Sequence, residues 1–303
     1  MSFLSSGVAV VTGAGSGIGR ALAQQLSAAG SALALADMDE ATLLQTAQSL
    51  EKNSALRATK KGRAVDAAAK NGPLITAHVV DVAKEESVKA FAADVCARHG
   101  RITLLINNVG VALHGYFEEI SLDDLRWLMD INFWGAVYGV KYFLPMLKRE
   151  PRAHIVNLSS LFGIIAPPGQ AAYSASKFAV RGFTEALRHE LEDSNVAVSC
   201  VHPGGIRSSI ARHARLGAAA SPARREESLA RFEQLARTSP EKAAAAILRG
   251  VERREARILV GIDAHQIDFL QRLRPANYWK FLARKLREPV ATSKASTLKP
   301  SSS

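Results

Sequence analysis

The feature that most limits how this chain can fold is a cluster of glycines set between two patterns of different period. Val8-Ala-Val-Val-Thr12 is a short apolar run that reads as a buried strand. It leads into Gly13-Ala-Gly-Ser-Gly-Ile-Gly19, and from there into a helical pattern that lasts to about Ala29. Glycines at 13, 17 and 19 permit a tight turn and a close backbone approach. The helix that follows turns unpaired N–H groups and its positive dipole end toward a diphosphate. Strand, glycines and helix in that order predict a nucleotide site.

The alternation then repeats. A second strand at 32–36 ends at Asp37, whose carboxylate can accept hydrogen bonds from adenosine ribose hydroxyls and would repel a 2′-phosphate. Neither Ser16 nor Met38 is a Lys or Arg, so NAD is expected over NADP. The competing role for Asp37 is a turn or N-cap acid before a helix that begins near Asp39. Further strands are expected at 74–80, 102–106, 153–158, 196–201 and 257–260, with helices between them. Asp81, just past the third strand, is placed to meet an adenine amino group or else to cap a helix. In Asn107-Asn-Val-Gly110 two amides can tie neighbouring strand ends, and the glycine admits a cofactor. A long helix over 121–147 carries Asn132, an odd choice for a helix interior unless its side chain is used. Pro145 predicts a distortion near that helix's end. No linker separates two cores, so the expected fold is α/β: one doubly wound parallel sheet of the Rossmann kind.

Tyr173-Ser-Ala-Ser-Lys177 supplies chemistry. A phenol and an ammonium four residues apart lie on one face of a helix. Free tyrosine, with a pKa of about 10, is a poor base at neutral pH. A nearby cation favours the phenolate and brings it closer to the range of a general acid/base.

Taken in order, these motifs resemble the short-chain dehydrogenase/reductase family over roughly residues 5 to 262. They are Thr12-Gly-x-x-x-Gly-x-Gly19, Asp37, Asp81, Asn107-Asn-x-Gly110, Asn132, Ser160, Tyr173-x-x-x-Lys177 and Pro203-Gly204. Val109 stands where alanine is commonest in the family, and Ser208 where a threonine often contacts the nicotinamide amide. The resemblance implies that Tyr173 is the general acid/base and that Lys177 lowers its pKa and holds the nicotinamide ribose. It implies that Ser160, which has the family's spacing to the tyrosine where Ser159 does not, bonds the substrate oxygen. Asn132 would anchor a water that relays protons from Lys177. Cofactor contacts are implied for Gly13, Ser16, Gly17, Ile18, Gly19, Asp37, Asp81, Val82, Asn108, Gly110, Tyr173, Lys177, Pro203, Gly204, Ile206 and Ser208.

The resulting expectation is an NAD-dependent oxidoreductase interconverting a hydrophobic secondary alcohol and its ketone. The pocket would be built from 111–117, 161–170 and 205–216, the middle segment being apolar. His114 is a candidate for its lining, whereas His202, with no partner in sequence, reads as structural. Rival readings are an NADPH-dependent carbonyl reductase and a nucleotide-binding regulator without turnover. In similar proteins the helices at 121–147 and 170–192 pair between subunits, so a homodimer or homotetramer is expected.

Charge adds less than its size promises. The net charge of +11 sits in two segments. Residues 51–74 hold six Lys/Arg against two acids, and 253–303 hold eleven against four. The first overlaps a basic insertion at 53–73 that the family's common core lacks. The second includes Tyr278, Trp279 and Phe281 among basic residues, which admits peripheral membrane contact, although packing against the domain or another subunit is the favoured reading. Nucleic-acid binding has only charge behind it and is not expected. Cys96 and Cys200 lie in apolar surroundings and read as buried, reduced and structural, with no metal site. No apolar run reaches membrane-spanning length, and Met1-Ser-Phe-Leu-Ser-Ser-Gly lacks the features of an export signal, so a cytoplasmic location is expected. The expected organisation is a nucleotide-binding domain at 1–262 with a substrate flap at 205–239. A helical extension at 263–291 and a disordered tail at 292–303 would follow.

Overall fold

The computed structural model describes residues 3–5, 7–60, 73–208, 210–218, 226, 230 and 233–287. The first half comprises β1 (Val8–Thr12), α1 (Gly17–Ala29), β2 (Ala32–Asp37), α2 (Glu40–Lys60), β3 (Ile75–Val79), α3 (Glu85–His99) and β4 (Leu104–Asn107). Then come β5 (Leu113–His114), α4 (Leu122–Met129), α5 (Gly135–Leu147), β6 (Ala153–Leu158), α6 (Ala171–Glu190) and β7 (Val196–Pro203). The chain continues through β8 (Arg215–Leu216), α7 (Pro240–Glu252), β9 (Arg257–Val260), α8 (Ile262–Leu273) and α9 (Tyr278–Arg287).

Seven strands form one parallel sheet in the order β3-β2-β1-β4-β6-β7-β9. The expected α/β doubly wound fold is what the chain adopts. Every residue of β1, β4 and β6 is buried, because helices cover both faces. Alternate side chains of β1 feed two cores. Ala9 and Val11 join Leu22 and Leu26 of α1 and Ile247 of α7, while Val10 joins Phe91 of α3 and Phe143 of α5. The strand order reverses between β1 and β4, and a crevice at such a switch point is where this fold accepts ligands.

Two expectations need correction. The long helix is irregular well before Pro145, which lies inside α5. Its irregularity is a π-helical turn at Asp130–Trp134, closed by the Gly135 N–H on the Asp130 carbonyl, and Asn132 sits in that turn. Cys96 is only partly buried, because it lies on the flank of α3 between core and solvent; Cys200 is buried, and both thiols are free. Smaller differences are that β7 continues through His202 and Pro203, and that the segment at 53–73 is helical as far as Lys60. The remainder of that segment, most of 219–232 and the tail beyond Arg287 lie outside the described residues.

Candidate active site

At the carboxyl end of β1 the backbone turns through Gly13 and Gly17, both at positive φ (67° and 51°). A Cβ on Gly19 would lie 1.9 Å from the Gly13 carbonyl oxygen, so only glycine lets α1 start this close to the turn. Asn108 ties β4 to the turn: its amide donates to the Thr12 and Gly13 carbonyls at 2.9 and 3.2 Å. Asn107 ties β4 to β6 by donating to the Asn157 side chain at 2.8 Å. Ser16 precedes α1 without a capping bond, leaving that helix end uncapped by its own side chain. Ile18 packs into the core beneath.

Asp37 faces this turn, accepting the Gly15 N–H at 2.8 Å and the Asp39 N–H at 3.1 Å. Capping of α2 falls to Asp39, whose carboxylate accepts from the Thr42 N–H at 3.2 Å. Asp81 accepts the Ala83 N–H at 3.1 Å and faces Lys84 at 3.4 Å. That is a turn within its own loop, and the residue preceding α3 is Lys84. Val82 is buried against Gly135, where a Cβ would come within 2.9 Å of it.

Two of the four residues given catalytic roles, Lys177 and Asn132, meet beside Gly110, while Tyr173 joins Lys177 to Ser160. A Cβ at Gly110 would lie 3.0 Å from the Lys177 Nζ and 3.5 Å from the Asn132 Oδ1. Asn132 accepts the Val111 N–H at 2.8 Å and donates to the Val111 carbonyl and the Ser176 hydroxyl, each at 3.0 Å. Its side chain thus fixes the loop after β4 to α6 at Ser176, the residue before Lys177. Lys177 is buried and donates to the Leu158 carbonyl at 3.1 Å, with Nζ 5.8 Å from the Tyr173 ring centre. Burial lowers its ammonium to about 8. Burial pushes the Tyr173 phenol up, and the opposing pull comes from its hydrogen bond with Ser160. Ser159 is engaged elsewhere, its hydroxyl donating to the Lys177 carbonyl at 2.8 Å.

The three pocket segments meet. β5 pairs with β8, matching Leu113 to Arg215 and His114 to Leu216. The Gly115 N–H donates to the Gly169 carbonyl at 3.2 Å, and the Gln170 amide bonds His114 Nδ1. Tyr173 lies in an apolar cluster with Leu113, Ala172, Ala214 and Phe162, whose ring meets the phenol edge-on at 6.0 Å. Arg212 points elsewhere, onto Glu233 at 2.8 Å. Beyond β7, the Gly204 N–H donates to the Val260 carbonyl, Ile206 bridges to Thr238, and Ser208 comes beside Gly17. Pro203 closes that strand.

Three residues outside the assigned site support these groups, and one of them, His202, is structural as expected. His202 donates from Nδ1 to the Ser160 carbonyl at 3.0 Å, and burial lowers its pKa to about 4, so it stays neutral. Asp263 accepts the Gly205 N–H at 2.7 Å, holding the start of the flap. The Tyr278 hydroxyl accepts the Ala166 N–H at 3.0 Å, and Tyr278 and Leu282 pack on Leu161, Ile164 and Ile165, so α9 backs the loop that follows Ser160. The only signal in sequence was an aromatic cluster far from the motifs. Among the described residues no group of acids, histidines and cysteines could hold a metal, and no helix is long and apolar enough to cross a membrane.

Comparison with known proteins agrees with this geometry. The sequence model for short chain dehydrogenases matches residues 7–218. An oxidoreductase of Mycobacterium tuberculosis, SadH, is 42% identical over 287 residues, covering 93% of this chain and 96% of its own. Dehydrogenase/reductase SDR family member 7B of Xenopus laevis is 31% identical over 290 residues, covering 95% and 84%. Among solved structures, a short-chain dehydrogenase/reductase from Burkholderia phymatum in complex with NAD superposes with a TM-score of 0.77 at 28% identity, covering 97% of this chain and all of its own.

Proposed function

The chain belongs to the short-chain dehydrogenase/reductase family, an oxidoreductase acting on CH–OH groups with a nicotinamide cofactor, and we propose that it is an NAD-dependent dehydrogenase of hydrophobic secondary alcohols. The observation that carries this reading is the position of Tyr173, hydrogen-bonded to Ser160 on one side and with the Lys177 Nζ, itself beside Gly110, 5.8 Å from its ring centre on the other.

A bound nicotinamide would supply the hydride chemistry; the protein positions the reactants and handles the proton. Gly13, Gly17 and Gly19 open the turn to a diphosphate, with Ser16 and Ile18 at the start of α1. Asp37 would receive the adenosine ribose, Asp81 and Val82 would flank the adenine, and Asn108 and Gly110 would shape the floor. Pro203, Gly204, Ile206 and Ser208 would hold the nicotinamide end. In oxidation, Tyr173 takes the alcohol proton as hydride leaves, and Ser160 donates to the oxygen on which charge develops. Lys177, charged below about pH 8, supports the phenolate and the nicotinamide ribose. Asn132 holds the Val111 loop and α6 in register.

NAD over NADP follows from Asp37, which already faces the turn and would meet a 2′-phosphate with like charge. The apolar surroundings of Tyr173 support a substrate with a hydrophobic body. Aromatic residues on the outer side of the long helix, including Trp134 stacked on Tyr138 at 5.7 Å with Trp134 43% exposed, support pairing of subunits through that face. A panel of secondary alcohols and small hydroxy acids, assayed with NAD and with NADP, tests the reading. Oxidation of the apolar alcohols with NAD is expected; activity confined to charged hydroxy acids, or to NADP, would overturn it.

A further inference from the structure

Helix α8 is apolar on both of its sides. Its inner side carries Ala264 and Ile267, which pack against Leu161, Ile164 and Ile165 beneath the active-site loop. At 100° per residue, Ile262, Phe269 and Leu273 fall within a stripe about 40° wide, opposite Ala264 and Asp268. These three side chains are 78%, 64% and 62% exposed. Phe281 of α9 extends the apolar surface, 47% exposed, with the Arg274 guanidinium lying over its ring at 5.2 Å. A helix that is apolar on both sides calls for a cover on each.

Charge selects what the outer cover is. Both acids of α8 are turned inward: Asp263 accepts the Gly205 N–H at 2.7 Å, and Asp268 is buried between Arg257 and Arg272 at 3.3 and 2.9 Å. The exposed charged side chains among described residues 262–281 are Arg272, Arg274 and Lys280, with no exposed acid beside them. The sequence beyond adds Arg284, Lys285 and Arg287 against Glu288. A second copy of the chain meeting this face across a two-fold axis would set cations against cations. An anionic surface would meet them with opposite charge while taking up the apolar stripe.

We propose that the outer face of α8, with the start of α9, is a docking surface for the anionic headgroup layer of a membrane. Ile262, Phe269, Leu273 and Phe281 enter the headgroup–acyl boundary, and Arg272, Arg274 and Lys280 lie among the lipid phosphates. The contact is independent of the chemistry proposed above, but it sets the loop that follows Ser160 on the membrane side of the molecule, one helix thickness away.

The test is flotation of the full chain with vesicles of phosphatidylcholine alone and of phosphatidylcholine with phosphatidylserine, at low and high salt. Sizing chromatography runs in parallel. Flotation with the phosphatidylserine vesicles is expected at low salt, falling as salt rises. The double variant Phe269→Ser/Leu273→Ser is expected to lose binding about tenfold or more while keeping its melting temperature and its turnover of a water-miscible alcohol. Wild-type protein that stays unbound, or binds both vesicle types equally, would overturn the proposal. So would a double variant that elutes as a smaller species than wild type, since a second copy would then be the cover. If turnover is absent in every form while flotation holds, the dehydrogenase reading fails and the docking surface stands.

Discussion

The two ends of the active site are built by different means. The nucleotide end, around Gly13–Gly19, Asp37 and Asn108, is shaped by backbone, with glycines that leave no room for a Cβ and an amide spent on two carbonyls. The substrate end is made of loops from distant parts of the chain: β5 is paired with β8, Gly115 is bonded to Gly169, and Tyr278 reaches across to Ala166. A site made of backbone tolerates little substitution and accepts one cofactor shape. A site made of apposed loops can change what it accepts while the chemistry below it stays fixed.

If that contrast is right, the largest effect comes from the nucleotide end. Gly19→Ala puts a methyl 1.9 Å from the Gly13 carbonyl oxygen. We expect a loss of about 3 kcal/mol or more in stability and no NAD binding, measured by thermal melting and cofactor titration. A variant with wild-type melting and NAD affinity would remove the close-approach argument.

Acid probes the scaffold next, through two buried histidines, His202 under Ser160 and His154 at the amino end of β6. Burial lowers His154 to about 3 and His202 to about 4. The unfolded chain takes up these protons below about pH 6.5, whereas the folded one stays neutral until its lower pKa values are reached. Their contribution is therefore whole above pH 6.5 and is lost as pH falls toward 4. At pH 5 the loss is about 2 kcal/mol per histidine. Urea midpoints at pH 7 and pH 5 measure it, and His202→Asn should flatten the difference; an unchanged slope in that variant would count against a neutral His202.

How much of each region was legible in the sequence follows from the same physics. The glycine turn, Asp37, Asn108 and the Tyr173/Lys177 spacing are local patterns whose geometry follows from the strand and helix periods, and each could be placed by residue number beforehand. Asn132 was correctly singled out as anomalous, but its consequence was not visible: the irregularity belongs to its own π-turn, whereas Pro145 sits within α5. Cys96 was misjudged because apolar neighbours in sequence do not say which side of a helix a residue occupies. Tyr278, Asp263 and His202 act across separations of dozens of residues, where no period connects them to their partners.

Smaller effects probe each region separately. Asp37→Ser should narrow any preference for NAD over NADP by about tenfold, since it removes a charged acceptor and a like charge near the 2′ position. Steady-state kinetics with both cofactors measure this, and an unchanged ratio would sever Asp37 from cofactor choice. Tyr278→Phe removes one hydrogen bond, worth about 1 kcal/mol, from the Ala166 loop. It should raise KM for bulky alcohols while leaving NAD affinity alone; a change in NAD affinity without one in KM would break the separation of the two regions.

The most direct measurement of the central claim is turnover and NAD binding in Tyr173→Phe, side by side. The ring and its edge-on contact with Phe162 remain, and only the hydroxyl bonded to Ser160 is lost. The account predicts NAD affinity within about twofold of wild type and a loss of kcat of about 100-fold or more. A variant that binds NAD and oxidises alcohols at the wild-type rate would contradict it.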